Sequence, residues 1–326
     1  MMSDTKLEVL QRRSELLFQV RQFFKSYGYW EIDTPLVSHD TCIDRWLDPF
    51  ELNIQGERCF LQTSPEFAMK RLLCEGADSI FQICKAFRKG ESGANHNPEF
   101  TMLEWYSTQK TLPDQIKFVE YLFNDLLSFV ISKEWLPART EFKFQQMTYE
   151  SAFQRYAGIS AMNSTLTELE ALASKFGWKT NSLATDDRDD LLNYILASVV
   201  EPELAKLQAV SITDYPATQS ALATIRQEEF PVADRFEMYL NGIEICNGYQ
   251  ELTDPQELRE RMQAENKKRR KNGISEFPVK SFLLQEMAEH RLPECSGVAL
   301  GIDRLVMILL GQETLQDVLA FPFSNA

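Results

Sequence analysis

Apolar residues at helical spacing open the chain. Leu10, Leu17, Val20 and Phe24 repeat with that spacing, and Gly28 stands where a helix would end. This pattern predicts a first helix that ends before Gly28. Similar patterns predict further helices at residues 66–75, 114–131, 165–176, 191–200, 255–271 and 303–310.

Short apolar runs between these helices predict the strands. They are residues 30–34, 59–62, 80–87, 99–107, 210–213 and 236–246. Residues 181–190 are polar and acidic and are predicted as a loop. Helices placed between strand pairs indicate an α+β fold built on an antiparallel sheet flanked by helices.

Composition narrows the class of protein. The chain has 326 residues, of which 44% are hydrophobic and 25% are charged, as in ordinary globular enzymes. The polar, charged start predicts no signal peptide. The long apolar stretches, residues 118–131 and 298–310, contain charged residues that disfavour a membrane span.

Cysteine usage and charge narrow it further. Six cysteines without a Cys-x-x-Cys pair, together with three histidines, disfavour a zinc site and indicate the reduced thiols of a cytoplasmic protein. Any metal would then be bound by carboxylates, which favours Mg²⁺. The formal net charge of −14 disfavours a nucleic-acid partner, because binding many phosphates requires a basic surface.

The first group of candidate functional residues lies at the end of a predicted strand. Arg88 ends that strand, a polar loop follows, and the next strand presents Phe100 and Tyr106 on one face. A guanidinium group at Arg88 can bind a carboxylate and a phosphate together through forked hydrogen bonds. Phe100 offers a ring for stacking a base. The alternative is an ordinary hairpin with surface charges and a buried phenylalanine.

The second group lies on a predicted hairpin. Asn241-Gly242 is typical of a two-residue turn, and this turn puts Glu237 opposite Cys246. Glu237 and Glu244 would then be diagonal neighbours on one face, about 7–8 Å apart. Two such carboxylates repel each other unless a cation such as Mg²⁺ binds them together with nucleotide phosphates. The alternative is a solvated acidic face.

Glu251 lies seven residues beyond Glu244. Strict alternation sends it to the opposite face, and a bulge at Gly248 would bring it back. A buried carboxylate at this position suits an ammonium group.

The third group lies near the end of the chain. Gly297, Ala299 and Gly301 alternate along a predicted strand and let a ligand approach its backbone. Arg304, in the first turn of the helix that follows, can reach a terminal phosphate. A basic run, Lys267–Lys271, either complements the dipole of its helix or docks an acidic protein partner.

Together these segments resemble the three signature motifs of class II aminoacyl-tRNA synthetases, in the same order along the chain. The matching segments are Gly28–Pro35, Arg88 with His96-x-x-x-Phe100-x-x-x-Glu104, and Gly297-x-Ala299-x-Gly301-x-x-Arg304. Residues 96–106 and 244–252 are similar to lysyl-tRNA synthetase in particular. Two positions depart from the family pattern: Gly90 stands where the family has Glu, with Glu91 next to it, and Ala299 stands where the family has Gly.

The resemblance implies a role for each matching residue. Arg88 and Arg304 would be catalytic, and Glu237 and Glu244 would hold Mg²⁺. ATP would contact Arg88, Lys89, Gly90, His96, Asn97, Phe100, Glu244, Ile245, Gly301 and Arg304. The amino acid would contact Ser64, Pro65, Glu66, Tyr106, Asn247 and Glu251. Gly28–Pro35 would form the interface of a homodimer.

The resemblance also implies a substrate. We expect one catalytic domain over residues 1–326, with a helical insertion at roughly 108–208 and no anticodon-binding domain before the first helix. This layout resembles the truncated lysyl-tRNA-synthetase paralogues that activate (R)-β-lysine with ATP and attach it to a lysine of elongation factor P. Ala299 and the acidic net charge agree with such a substrate and a partner other than tRNA.

Two alternatives remain at this point. One is a truncated enzyme that acts on tRNA or on a small-molecule acceptor. The other is a catalytically inactive regulatory paralogue, which predicts the loss of Arg88, Glu244 or Arg304. All three residues are present.

Overall fold

The structure is a computed structural model that describes residues 5–42, 47–179, 187–271, 273–278 and 280–326. Most of the loop predicted at residues 181–190 lies outside these ranges. The chain divides into two compact units, residues 1–140 with 251–326, and residues 141–250. The expected single catalytic domain with an insertion at roughly 108–208 stays a prediction.

The secondary structure of the described residues is mixed. The helices are α1 (Lys6–Ser26), α2 (Glu66–Cys74), α3 (Leu112–Ser132), α4 (Tyr149–Ala152), α5 (Leu166–Lys175), α6 (Arg188–Ile195), α7 (Glu201–Leu204), α8 (Pro255–Lys271), α9 (Phe282–His290), α10 (Ile302–Leu309) and α11 (Leu315–Val318). The strands are β1 (Trp30–Glu31), β2 (Val37–Ser38), β3 (Glu51–Ile54), β4 (Glu57–Leu61), β5 (Ser79–Phe87), β6 (Glu99–Ser107), β7 (Phe144–Thr148), β8 (Ala209–Pro216), β9 (Ile225–Arg226), β10 (Val232–Leu240), β11 (Ile243–Gln250) and β12 (Ser296–Gly301). Two π-helical turns occur at Phe153–Ala157 and Leu196–Val200.

The first helix forms as predicted, but its buried face is shifted. Thr5 caps α1 through a reciprocal capping box with Glu8. The buried positions of α1 are Val9, Leu16, Val20, Phe23 and Phe24. Leu10 and Leu17 are only partly buried. The chain leaves the helix at Gly28, where φ is +80° and a glycine is favoured.

In the first unit, strands follow the order β1-β5-β6-β12. The pairs β5–β6 and β6–β12 are antiparallel, and the short pair β1–β5 is parallel. The register places Tyr106 opposite Gly297 and Glu104 opposite Ala299. Strand β6 has the predicted bounds, whereas the strand predicted at residues 30–34 contains only two residues. A separate sheet has the order β2-β4-β3.

Aromatic packing fixes the position of β6 in this unit. The ring of Phe24 stacks on Phe81 with a centroid distance of 4.6 Å and meets the edge of Trp105 at 5.2 Å. Trp105 is fully buried, and its indole nitrogen donates to the Gln115 side chain at 2.8 Å. Side chains on both faces of β6 are therefore buried, and Glu104 and Tyr106 lie on one of these buried faces.

The basic end of α8 is partly committed to packing within the chain. Arg269 is buried, with its guanidinium 3.9 Å from the centroid of the Phe277 ring. Its Nη2 lies 2.9 Å from Oδ1 of Asp48, and Arg270 pairs with Glu276 at 2.7 Å. Within Lys267–Lys271, these two arginines are thus engaged by neighbouring residues of the same unit.

The second unit has the strand order β11-β10-β8-β7, with β9 paired to β10. Asn241 and Gly242 have φ values of +50° and +78°, as the predicted two-residue turn requires. The prediction that Glu237 lies opposite Cys246 is wrong, because the register shifts and Glu237 pairs with Asn247. Ile245 is the extra residue of a bulge. The bulge therefore lies at Ile245, nearer the turn than the predicted position at Gly248.

The core of the second unit is formed by helices α4, α5 and α6 together with strands β8 and β10. Tyr149 and Phe153 stack at 4.6 Å, and Tyr215 and Tyr239 are buried beside them. Among the residues that the structure describes, no helix has both the length and the apolar character needed to cross a membrane.

Candidate active site

A buried lysine joins two carboxylates in the first unit. Lys70, on α2, is 2% exposed, and its Nζ lies 2.5 Å from Oε1 of Glu66 and 2.5 Å from Oε2 of Glu251. Glu66 precedes Lys70 by one helical turn, so the helix itself brings this pair together. Glu251 follows the last residue of β11, and its backbone N–H donates to the Cys295 carbonyl at 3.0 Å. The three charges therefore form one buried group.

A third carboxylate, Glu104, lies in the same group. Its Oε1 accepts a hydrogen bond from the Tyr106 hydroxyl at 2.6 Å, and its Oε2 accepts one from Ser64 Oγ at 2.7 Å. Ser64 also accepts the backbone N–H of Glu66 at 3.0 Å, which fixes the turn before α2. Pro65, the residue between them, is the N-cap of α2.

The electrostatics of this cluster favour a cationic ligand. Burial, with a smaller contribution from the negative charge of Glu66, raises the pKa of Glu104 to about 7. Burial also raises the pKa of Glu251 to about 8, although the Lys70 ammonium opposes that rise. Burial acts to lower the pKa of Lys70, but the charges of Glu251 and Glu66 outweigh it and keep that pKa above its usual value. Lys70 thus contacts two of the three carboxylates, and the third, Glu104, is bonded to Tyr106 and Ser64 beside them.

Because Gly297 has no side chain, Tyr106 and Glu251 can pack against its backbone. A Cβ atom at this position would overlap the Tyr106 ring and would lie 2.7 Å from Oε1 of Glu251. The alternation of small residues along β12 therefore makes room for recognition side chains. Ala299, the next position on that face, is paired with Glu104.

Arg88 adjoins the carboxylate cluster through one short turn. Its Nε donates to the carbonyl of Thr63 at 3.4 Å, and Thr63 directly precedes Ser64. The guanidinium lies 5.0 Å from the centroid of the Phe100 ring. A cationic group and an aromatic platform thus stand next to the acidic cluster, which is suited to a ligand with a carboxylate at one end and ammonium groups at the other.

The loop after Arg88 turns at Gly90, where φ is +86°. This backbone conformation, which L side chains rarely adopt, returns Glu91 toward Arg88, with 3.6 Å between Oε1 and Nη1. Lys89 is held by its backbone N–H, which donates to the Asp48 carbonyl at 2.7 Å. Glu91 therefore places a carboxylate beside Arg88, one residue after Gly90.

Arg304 contacts the loop that precedes β6. Arg304 Nη2 lies 2.8 Å from Nε2 of His96, and its Nε donates to the Asn95 carbonyl at 3.2 Å. Burial, and then the charge of Arg304, lowers the pKa of His96, so its imidazole is neutral and accepts this hydrogen bond. The Asn97 amide oxygen accepts the Phe323 backbone N–H at 3.0 Å, so this side chain has a structural role.

Helix α10 begins at Gly301 as its N-cap, and Asp303 anchors it. Asp303 Oδ2 accepts the Thr101 backbone N–H at 2.8 Å, and its Oδ1 lies 2.5 Å from Arg13 Nη2. Helix α10 is thereby attached to β6 and to α1, and its first turn carries Arg304.

The second unit, taken by itself, carries the acidic hairpin. Glu237 is buried, with one carboxylate oxygen bound by Arg235 Nη2 and the other accepting the Tyr239 hydroxyl at 2.6 Å. Tyr239 pairs with Glu244, so Glu244 lies on the same face. Asn247, opposite Glu237, donates to the Tyr249 hydroxyl at 2.9 Å.

These two carboxylates fit a metal only together with outside ligands. In the residues that the structure describes, no group of three His, Cys, Asp or Glu side chains is close enough to hold an ion. Each oxygen of Glu237 keeps a second lone pair beyond its present hydrogen bond. Such a pair suits Mg²⁺, which keeps water and phosphate oxygens as ligands and needs few carboxylates.

Comparison with known proteins places these motifs in a family. Residues 1–325 match the family of tRNA synthetases class II (D, K and N). The chain belongs to this family. Proteins named elongation factor P–(R)-beta-lysine ligase from Salmonella paratyphi B, Salmonella schwarzengrund and Salmonella heidelberg are each 40% identical over 323 residues, which cover 97% of this chain and 95% of each relative.

Membership of the class II synthetases confirms the α+β fold class and an ATP-dependent ligase. The predicted site residues fall in both units. The first unit holds Ser64, Pro65, Glu66, Arg88, Lys89, Gly90, His96, Asn97, Phe100, Tyr106, Glu251, Gly301 and Arg304, and the second holds Glu237, Glu244, Ile245 and Asn247. Ile245 is buried as the extra residue of the bulge.

Sequence reasoning did not single out Lys70 or Arg235, and it placed Glu104 in a motif without giving it a role. Lys70 stands one helical turn after Glu66, and that spacing alone indicates an ion pair. Glu104 alternates with Tyr106 on one strand face, and Arg235 alternates with Glu237. Their burial and their partners come from tertiary packing and could not be inferred from these local spacings.

Proposed function

We propose that this class II synthetase relative condenses (R)-β-lysine with ATP to an aminoacyl-adenylate and transfers the β-lysyl group to a lysine side chain of elongation factor P. The observation that carries the proposal is the buried cluster of Glu66, Glu104 and Glu251 next to Arg88. Pyrophosphate leaves in the first step and AMP in the second. The names of relatives that match 97% of the chain support this assignment.

The carboxylate cluster supports a substrate with two ammonium groups. Buried Glu104 and Glu251 and partly buried Glu66 lie near the single Lys70 ammonium, and in their ionised forms they leave an excess of negative charge that a diamino acid would neutralise. Arg88, attached through Thr63, would bind the substrate carboxylate. The methyl group of Ala299 lies beside Glu104 and narrows the space at the reacting end, which supports β-lysine over α-lysine.

The ATP end is supported by the groups around Arg88 and Arg304. Phe100 would stack on adenine, and Glu91 would take the adenine contact that the family assigns two residues after the arginine. Arg88 would stabilise the α-phosphate as the substrate carboxylate attacks phosphorus. Arg304, held by His96, would bind the γ-phosphate.

Magnesium is part of the proposal. Glu244, with Glu237, would hold it, and bound Mg²⁺ would neutralise the phosphates of ATP. Arg235 and Tyr239 would keep Glu237 oriented for this role.

The acceptor and the assembly complete the proposal. With a net charge of −14, the chain suits a protein acceptor better than tRNA, whose phosphates require cations. Trp30, in the segment expected at a two-fold interface, is 51% exposed, which supports a homodimer. The six cysteines are free thiols, which supports a reducing compartment such as the cytoplasm.

The test of substrate choice is pyrophosphate exchange into ATP with a panel of amino acids. The panel contains (R)-β-lysine, (S)-β-lysine, L-α-lysine and norleucine, which lacks the distal ammonium. We expect fast exchange with (R)-β-lysine, slower exchange with the other lysine isomers and none with norleucine. Equal exchange with norleucine would contradict the role of the carboxylate cluster.

A further inference from the structure

The proposed reaction gives no role to the buried Lys70. Its ammonium lies where Glu66 and Glu251 converge, and both carboxylates are among the residues expected to contact the amino acid. A lysine that merely anchored α2 would not need to contact both. Its Nζ also lies 5.9 Å from the centroid of the Tyr106 ring, so it borders the recognition side chains on a third side.

We propose that Lys70 is a positioning residue for amino-acid recognition, a resident ammonium that holds Glu66 and Glu251 together and leaves charge only for a diamino acid. The inference rests on the proposed function. When Glu66, Glu104 and Glu251 are all ionised, the single Lys70 ammonium leaves two negative charges (three minus one), which equals the number of ammonium groups in β-lysine. Bound ammonium groups would favour that ionised state. Lys70 therefore sets how many cations the site accepts.

The arrangement of the chain supports this role. Glu66 and Lys70 share one helix, whereas Glu251 arrives from the end of β11. Lys70 is thus the contact that attaches Glu251 to the helix carrying Glu66. Without it, three buried carboxylates would repel one another, and the site would relax by taking up a proton or by separating Glu251 from α2.

Other titratable groups near Lys70 add no charge to that of Lys70 and the three carboxylates. Burial raises the pKa of the Cys74 thiol to about 11 and keeps those of Cys42, Cys295 and Tyr106 well above their usual values. These groups stay neutral at physiological pH. The balance therefore depends on Lys70 and the three carboxylates.

The test removes the ammonium and then returns it. Lys70→Ala deletes the outer part of the side chain, which corresponds to n-propylammonium, and Lys70→Met removes the charge while it keeps the volume of the stem. Lys85→Ala is the matched control, because Lys85 is 43% exposed and its partner is the surface residue Glu99. Each variant is assayed by pyrophosphate exchange for the KM of (R)-β-lysine and the KM of ATP.

We expect both Lys70 variants to raise the KM for β-lysine about tenfold or more, because recognition of ammonium depends on charge-assisted contacts. The KM for ATP stays within about twofold of the wild-type value, well below the tenfold change of a lost charged contact. n-Propylammonium restores Lys70→Ala but not Lys70→Met, and n-propanol restores neither. The KM for β-lysine also improves at a higher pH than in wild type, because the ammonium that lowers the pKa of Glu251 is gone.

Several outcomes would overturn the inference. One is an unchanged KM for β-lysine in both Lys70 variants. Another is an equal rise in the KM for ATP and the KM for β-lysine, with no pH shift and no rescue by n-propylammonium, because this would indicate a structural role only. If the wild-type enzyme exchanges with no diamino acid, the proposed function fails and the inference fails with it. If the wild-type enzyme exchanges with (R)-β-lysine but the Lys70 variants keep the wild-type KM for it, the inference about Lys70 fails and the proposed function stands.

Discussion

The substitution Glu251→Gln separates amino-acid recognition from ATP binding. The Glu251 side chain is 1% exposed and has an oxygen 2.5 Å from Lys70 Nζ, so Gln keeps the shape but cannot ionise when an ammonium group binds. A charge-assisted hydrogen bond contributes about 1.5–3 kcal/mol. This corresponds to an increase of about 10- to 150-fold in the KM for the amino acid.

The effect on stability should be smaller than for a broken isolated ion pair. Removing one partner of a buried pair typically costs about 3–5 kcal/mol, because the other charge is left uncompensated. Lys70 would still have Glu66 at 2.5 Å, so its charge remains paired. We therefore expect a folded variant, and denaturant unfolding checks this before the kinetics are interpreted.

The matched variant is Glu244→Gln, on the hairpin of the second unit. It should raise the KM for ATP and the Mg²⁺ requirement, and it should change the KM for β-lysine by less than Glu251→Gln does. Pyrophosphate exchange with each substrate varied in turn measures both constants. If both variants damage ATP and amino-acid use equally, the two carboxylates have been assigned to the wrong substrates.

Three further predictions concern catalysis, assembly and pH. Arg88→Ala should slow adenylate formation by about 10²–10³-fold, because one preorganised hydrogen-bond donor is lost. Its unfolding midpoint should be unchanged, and near-wild-type pyrophosphate exchange would refute the role of Arg88. Trp30→Glu should convert a homodimer to monomers in sedimentation at micromolar concentration, whereas a monomeric wild type would refute the interface. The pKa of Glu251 is raised from 4.5 to about 8, so the native state holds this proton more tightly than the unfolded chain. Stability without ligand should therefore fall as pH rises through about 8, and Glu251→Gln should flatten that slope.

Local sequence signals predicted the elements that carry strong periodicity or strong turn chemistry. Strand β6 has its predicted bounds, and Asn241-Gly242 forms the predicted turn with both φ values positive. The first helix also formed, but its buried face includes Val9 and Leu16 where Leu10 and Leu17 were expected. Tertiary packing selects which of two neighbouring apolar stripes faces inward.

The register of the hairpin could not be predicted in the same way. An extra residue in one strand, Ile245, has no local signature, yet it moves Glu237 from Cys246 to Asn247. The short helix α11 and the buried role of Lys70 were also missed, since each depends on contacts between residues far apart in the chain. The motif residues themselves were found because their types and spacing resemble the class II synthetase pattern.

One competition experiment tests the central claim most directly. Enzyme, ATP and labelled (R)-β-lysine are incubated with elongation factor P and tRNA in the same reaction, and the label in each acceptor is counted. Arg88→Ala enzyme in a parallel reaction controls for uncatalysed transfer. We expect the label to enter elongation factor P and to spare tRNA. Label in tRNA with none in elongation factor P would contradict it.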